Sequence, residues 1–228
     1  NNLSLIENEL TKKKYGLIWE EHEERVDKEL ETQIPTFEEI KEKEIVSNPD
    51  EQFNFLLEGD NLHSLYLLEK THKGKIDFIY IDPPYNTENK EFVYNDTRIG
   101  SDDTYKHSKW LSFMEKRLRI AKNLLSNEGS IFISIDQSEF AQLKLMCDDI
   151  FGEDNFIGTL IWRKKYGGGQ TDEFFVTEHE YIFGYRKTKS FKWFDKKLEA
   201  SVDDFKYEDT IGKYNITKLE KWGSSAHK

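Results

Sequence analysis

The sequence predicts an α/β fold, on three observations. Strand-like and helix-like patterns alternate between residues 53 and 150, the strand-like runs end in acidic residues, and beyond Ile150 the pattern turns β-rich. Alternation of this kind implies parallel strands joined by helical crossovers, with ligands bound at the carboxyl ends of the strands.

Taken in order, residues 3–45 are acidic and broadly helical in pattern, with Leu17, Ile18, Val26 and Leu30 as sparse apolar points and Pro35 as a break. They mark a helical appendage over 1–50. A strand is expected over 53–58, a helix from Asn61 to about Thr71, and a strand over 76–81. A polar loop through Asp103 leads into a helix in which Trp110, Met114, Leu118, Ala121 and Leu125 recur at three- and four-residue spacing. Gly129 precedes a strand over 130–135, and a helix covers 138–150, where Cys147 shares a face with Phe140 and Leu143. Runs 156–162 and 181–185 read as an antiparallel hairpin around Gly167-Gly168-Gly169. That triplet has no Gly-Lys-Ser/Thr ending and no helix after it, so it is a connection and not a phosphate loop. The last thirty residues lack a clear period. The chain thus divides into 1–50, 51–198 and 199–228.

Three strand-like runs end in acid: Gly59-Asp60-Asn61, Asp82-Pro83-Pro84-Tyr85 and Ile135-Asp136-Gln137. In a doubly wound sheet these carboxylates line one edge. Helix capping competes with a ligand role, because Asp60 or Asn61 and Asp136 each precede a helix. For Asp136 capping is at least as good a reading, and for Asp60 both uses coexist.

Asp82-Pro83-Pro84-Tyr85 carries the most chemistry. The exocyclic nitrogen of a nucleobase such as adenine is a poor nucleophile, its lone pair being delocalised into the ring. A carboxylate at Asp82 can accept a hydrogen bond from the amino group, and the Pro83 carbonyl can supply a second acceptor on a backbone fixed by two prolines. Tyr85 offers a π-face for a base swung out of a duplex. The alternative is a strand that ends in a proline turn, which the rarity of the string and its place after a strand both disfavour.

At 228 residues and 36% hydrophobic, the chain can bury one sizeable core. It has no apolar run of membrane-spanning length and no signal-peptide pattern, which points to the cytoplasm. The single cysteine, Cys147, excludes an internal disulfide and a multi-cysteine zinc site and reads as a core thiol. His179-Glu180 lacks the second histidine of a zinc protease, and no metal is expected. A net charge of −11 argues against nucleic acid until it is divided along the chain. Residues 1–50 hold fourteen acids against seven bases, whereas residues 157–197 hold nine bases against five acids. Arg163-Lys164-Lys165 and Arg186-Lys187 form a candidate phosphate-contacting strip, with an ordinary solvated face as the competing reading.

A series of segments then resembles the Mod subunits of type III restriction-modification systems. It comprises Tyr15-Gly16-Leu17-Ile18-Trp19-Glu20, Leu57-Glu58-Gly59-Asp60-Asn61-Leu62, Asp82-Pro83-Pro84-Tyr85-Asn86-Thr87 and Phe92-Val93-Tyr94-Asn95-Asp96. It continues through the segment from Trp110 to Leu118, Ile133-Ser134-Ile135-Asp136 and His179-Glu180-Tyr181-Ile182. The resemblance implies a Rossmann-like methyltransferase fold and adenine-N6 methylation of DNA with S-adenosylmethionine as cofactor. It assigns the flipped adenine to Asp82, Pro83, Pro84 and Tyr85, and makes Gly59, Asp60 and Asp82 cofactor-binding candidates. It brings Trp162 toward the target base, where a buried interface tryptophan is an equal explanation, and the basic strip next to it makes Arg163, Lys164 and Lys165 candidate DNA contacts. Glu88 stands where the family commonly shows glycine, which bears on the conformation of that loop.

The resemblance also implies double-stranded DNA, a Mod homodimer and a Res helicase-nuclease subunit as partners. On its terms, 51–198 is the catalytic part and 199–228 the start of a truncated target-recognition region. The family's Phe-x-Gly-x-Gly cofactor loop is absent from these residues. The chain is therefore expected to be an amino-terminal fragment with an incomplete methyltransferase domain. The competing functions are cytosine-N4 methylation, which usually carries Ser at the position of Asp82, and a catalytically silent fragment serving assembly or DNA binding.

Overall fold

The computed structural model describes residues 17–45, 54–87, 93–94, 97–98, 103–164, 177–193 and 206–214. Residues 1–192 and 193–228 form two compact units. In the first, α1 (Arg25–Thr32) is followed by α2 (Asn61–His72) and β1 (Ile76–Ile81), then by the short β2 (Val93–Tyr94) and β3 (Thr97–Arg98). The order continues through α3 (Lys106–Leu124), β4 (Leu125–Ile135), α4 (Phe140–Phe151), β5 (Phe156–Arg163) and β6 (His179–Arg186). The second unit contains an antiparallel pair, β7 (Tyr207–Glu208) and β8 (Lys213–Tyr214), across which Tyr207 and Tyr214 stack.

The main sheet has the order β1-β4-β6-β5. β1 and β4 are parallel, joined through α3 as the alternation predicts, and β6 runs antiparallel to both β4 and β5. The expected hairpin is therefore present, but its second strand enters the sheet between β4 and β5. The glycine triplet of its loop and Glu88 lie outside the described residues.

The periodicity of α3 places Trp110, Leu111, Met114, Leu118 and Ala121 on one buried stripe. They pack with Ile131, Ile133 and Ile135 of β4, Leu143, Met146 and Cys147 of α4, and Phe183 and Tyr185 of β6. Cys147 is the core thiol the sequence predicts, and burial pushes its pKa up. Leu125, expected to extend the helix, instead opens β4. The register of β4 against β1 jumps there, with Ile76 opposite Leu125 and Phe78 opposite Ser130. Gly129 sits in this irregularity, where an added Cβ would lie 2.8 Å from the Ile76 carbonyl oxygen.

Two expectations change. Residues 54–58 form no strand, and Phe55 and Leu56 are 82% and 91% exposed. An apolar run becomes a strand only when a neighbour takes its backbone groups, and among the described residues no strand pairs with this segment. The helical character of the amino-terminal segment narrows, among the described residues, to α1 and a 3₁₀ turn at Lys41–Lys43. Residues 33–40 are irregular, because Pro35 interrupts them and Ile34, Phe37 and Ile40 stay exposed and supply no buried face. The segment is still anchored: Leu17 and Trp19 pack on the main core, and Val26 packs with Leu62, Ile120 and Leu124.

Candidate active site

The topology decides which loops meet. α2 is twelve residues long and β1 six, which makes each roughly 18–20 Å in length. They are joined by a tight turn through Lys73 and Gly74, so the start of α2 and the end of β1 lie toward the same end of the sheet. The starts of α3 and α4 share that end, since α3 leads back into β4, and α4 follows it. So does the start of β6, where Tyr181 is opposite Ile135. Asp60, Asp82, Asp136 and Glu180 thus lie toward one edge of the sheet; Asp82 and Asp136 follow strands as expected, whereas Asp60 follows a segment that forms no strand and Glu180 lies at the start of β6.

Asp82 is exposed at the end of β1, and Pro83 behind it is buried. The indole Nε1 of the buried Trp110 donates to the Pro84 carbonyl at 2.6 Å, tying the second proline to α3. Tyr85 is half-buried against the core. Its phenol is held above its ordinary pKa by burial first, then by the Asp82 carboxylate and by Glu180 across the edge. Ser134 of β4 also interacts with the Tyr85 hydroxyl and hydrogen-bonds Tyr80. Asn86 follows with φ of 58°, a left-handed conformation rare outside glycine. Its amide donates to Glu139 and to the Lys106 carbonyl.

Asp60 is the N-cap of α2, its Oδ1 accepting from the Leu62 N–H at 2.8 Å. Gly59 before it has φ of 142°, with no neighbour within 4 Å of a built Cβ, so backbone conformation and not space selects glycine. Both line a cleft of about 310 Å³, bounded by Ile34, Pro35 and Phe37 on one side and by Glu29, Glu58 and His63 on another. Asp136 also serves a turn, accepting from the N–H and hydroxyl of Ser138.

The basic strip is more tied up than the sequence suggests. Arg163 pairs with Glu178 at 3.3 Å, and Lys164 pairs with Glu180 at 3.1 Å. Arg186 hydrogen-bonds Asn155 and the Asp154 carbonyl, while Lys187 reaches the Leu125 carbonyl. Lys165 lies outside the described residues. Trp162 is exposed near the end of β5, opposite Glu180. Three strand spacings, about 14 Å, separate β5 from β1, so the structure does not bring Trp162 beside Tyr85. His179 hydrogen-bonds Tyr181.

The residue types in the tetrapeptide announced Asp82 and Tyr85, whereas Trp110, Ser134, Glu139 and Glu180 carry no such signal. Trp110 and Ser134 read as core and strand, and Glu139 as a helix-start acid. Only the folded edge puts them beside the loop.

Similarity to known proteins agrees with this edge. The chain is 37% identical over 245 residues to the EcoP15I Mod subunit of a type III restriction-modification enzyme from Escherichia coli, covering 94% of this chain and 37% of that protein. It is 41% identical over 174 residues to the type II methyltransferase M.KpnI from Klebsiella pneumoniae, covering 74% of this chain and 40% of the relative. Against the EcoPI Mod subunit of Escherichia phage P1 it is 35% identical over 240 residues, covering 90% of this chain and 37% of that one. The chain therefore spans less than half the length of these relatives. The DNA methylase family (N6_N4_Mtase) matches residues 76–225, a stretch that starts with β1 and contains Asp82-Pro83-Pro84-Tyr85 and the whole main sheet. On that match the chain belongs to the DNA methylase family.

Proposed function

We propose that these residues form the catalytic edge of an adenine-N6 DNA methyltransferase, the Mod subunit of a type III restriction-modification system. The observation that carries the reading is an exposed carboxylate, Asp82, at the carboxyl end of a parallel strand, followed by a buried proline, an indole-anchored carbonyl and a half-buried tyrosine. Asp82 accepts a hydrogen bond from the N6 amino group of an extruded adenine, and the Pro83 carbonyl accepts the second amino proton. Together they draw the nitrogen lone pair out of the ring. Tyr85 stacks on the base, a contact worth about 1–3 kcal/mol. As the N–C bond forms the nitrogen loses one proton, which Asp82 takes and passes to water.

The residues present fit part of S-adenosylmethionine. The cleft at Gly59 and Asp60 joins an apolar wall, suited to a purine face, with carboxylates suited to ribose hydroxyls and the purine amine. Asp82 stands at the same sheet end and would face the cofactor's reactive part. When bound, the cofactor supplies an electrophilic methyl carbon and a thioether leaving group. Double-stranded DNA is the substrate, with Trp162, Arg163, Lys164 and Lys165 as contacts to the duplex away from the target base. A second Mod copy and a Res helicase-nuclease subunit are the protein partners, and the cytoplasm is the setting.

Asp82→Ala in the full-length protein tests the reading. Methylation of adenine-containing DNA is expected to fall by at least 10²–10⁴-fold, the scale of a positioned proton acceptor, with DNA affinity nearly unchanged. Activity within threefold of wild type overturns the assignment.

A further inference from the structure

Glu139 has no solvent-exposed surface, yet it is a carboxylic acid with nothing bonded to its Oε2. Burying such a group costs several kcal/mol unless its partners compensate. All its bonds run through Oε1, and both lead to the edge of the candidate site. Asn86 Nδ2 donates to it at 2.5 Å, and His107 Nδ1 lies 2.7 Å away. His107 is on the first turn of α3, and Glu139 is the residue before α4, so the carboxylate joins three segments that converge beside Asp82-Pro83-Pro84-Tyr85.

Asn86 is the residue this junction acts on. It is the one non-glycine residue with positive φ among those described, and it directly follows Tyr85. Its amide is held from two sides, by Glu139 and by the Lys106 carbonyl. A left-handed asparagine persists where surrounding bonds over-determine it. Release of the side chain would let the peptide between Tyr85 and Asn86 turn, and the tyrosine ring would turn with it. Two anchors thus bracket Tyr85: Trp110 on the carbonyl before it and Glu139 on the side chain after it.

We propose that Glu139 is a positioning residue for methyl transfer, acting through Asn86 to hold the Asp82–Tyr85 loop in its reactive shape. The proposal rests on the methyltransferase reading above. An oxygen acceptor is the required chemistry, because the asparagine presents N–H groups to it. The groups facing Glu139 are Asn86 from the loop and Lys106 and His107 from α3, and His107 Nδ1 in turn lies 3.4 Å from the Gln142 amide of α4.

The experiment compares Glu139→Leu, Glu139→Gln, Asn86→Asp and the double variant Asn86→Asp/Glu139→Gln in the full-length protein, with S-adenosylmethionine and duplex DNA. Displacement of a reacting group by about 1 Å costs on the order of 10²-fold, so Glu139→Leu is expected to lower kcat by about that factor while KM for DNA changes little. Glu139→Gln keeps an oxygen acceptor and should lose only several-fold. Asn86→Asp sets two carboxylates against each other and should be as damaging as Glu139→Leu. The double variant recreates one donor–acceptor pair with its direction reversed and should recover at least tenfold over Asn86→Asp. Absence of that recovery, or full activity in Glu139→Leu, overturns the proposal, and the recovery remains decisive if Glu139→Leu fails to fold. A wild-type protein that methylates no DNA overturns the underlying reading instead.

Discussion

Tyr85 brings two different groups to one place. Its ring is half-buried against the core, and its hydroxyl faces Asp82 and Ser134. If stacking is its main work, Tyr85→Phe in the full-length enzyme costs at most one hydrogen bond, about tenfold, whereas Tyr85→Ala removes the π-face and should cost up to ~3 kcal/mol more. Steady-state methylation kinetics check this, and equal losses in both variants would shift the weight to the hydroxyl. Glu139 makes a separate prediction about stability. Burial raises its pKa above the ordinary 4.5, outweighing the Asn86 bond and His107. The folded state therefore favours the protonated acid. Its stabilising contribution is complete below the unfolded pKa and is lost as pH rises through the raised folded value. The Tm of wild type minus that of Glu139→Gln should be largest near pH 4 and shrink toward neutrality. A difference that grows with pH would contradict the burial argument.

At the scale of elements, α1 is too short to persist alone and depends on what it docks against. Arg117 of α3 holds Glu24 at the start of α1 through both guanidinium Nη atoms, at 2.8 and 3.1 Å, and holds Asn61 of α2 through Nε at 2.7 Å. The pair is nearly buried, and the Arg117 guanidinium also lies over the Phe113 ring. Truncation of one partner leaves the other charge buried and alone, which costs about 3–5 kcal/mol. Glu24→Ala is expected to destabilise the fold by that amount in urea titrations and to expose α1 to proteolysis. A loss below 1 kcal/mol would mean that Arg117 finds other partners.

At the scale of the whole molecule, several apolar side chains of the main sheet are exposed among the described residues. α2 packs on α3, and α3 on α4, over the core face of the sheet. On β1 and β5, Phe78, Tyr80 and Leu160 remain 59%, 53% and 54% exposed. Parallel strands are ordinarily covered on both faces. On the proposed function the cofactor site is partial: Gly59, Asp60 and Asp82 would supply part of it, and a Phe-x-Gly-x-Gly segment, whose backbone N–H groups would take the charged methionine end, does not occur in these 228 residues. This 228-residue chain by itself is expected to show no micromolar S-adenosylmethionine binding in calorimetry. Micromolar binding with methyl transfer would show that another segment completes the pocket.

By itself the sequence determined the α/β class, the crossover from β1 through α3 to β4, the buried stripe of α3 and the place of Asp82 and Tyr85 just after a strand. These rest on local periodicity and on residue types whose roles do not depend on neighbours far along the chain. Tertiary structure decided the rest. It put β6 between β4 and β5 and denied strand pairing to residues 54–58, because strand order depends on which backbone edge is available. It set the basic residues 163, 164, 186 and 187 against nearby acids and carbonyls, with Arg163 and Lys164 still partly exposed, because a charge run in sequence does not say what it will face. It also joined Asn86 to Glu139, fifty-three positions away. Neither residue type announces that pairing: a bond between loops exists only once the strands and helices carrying them have packed.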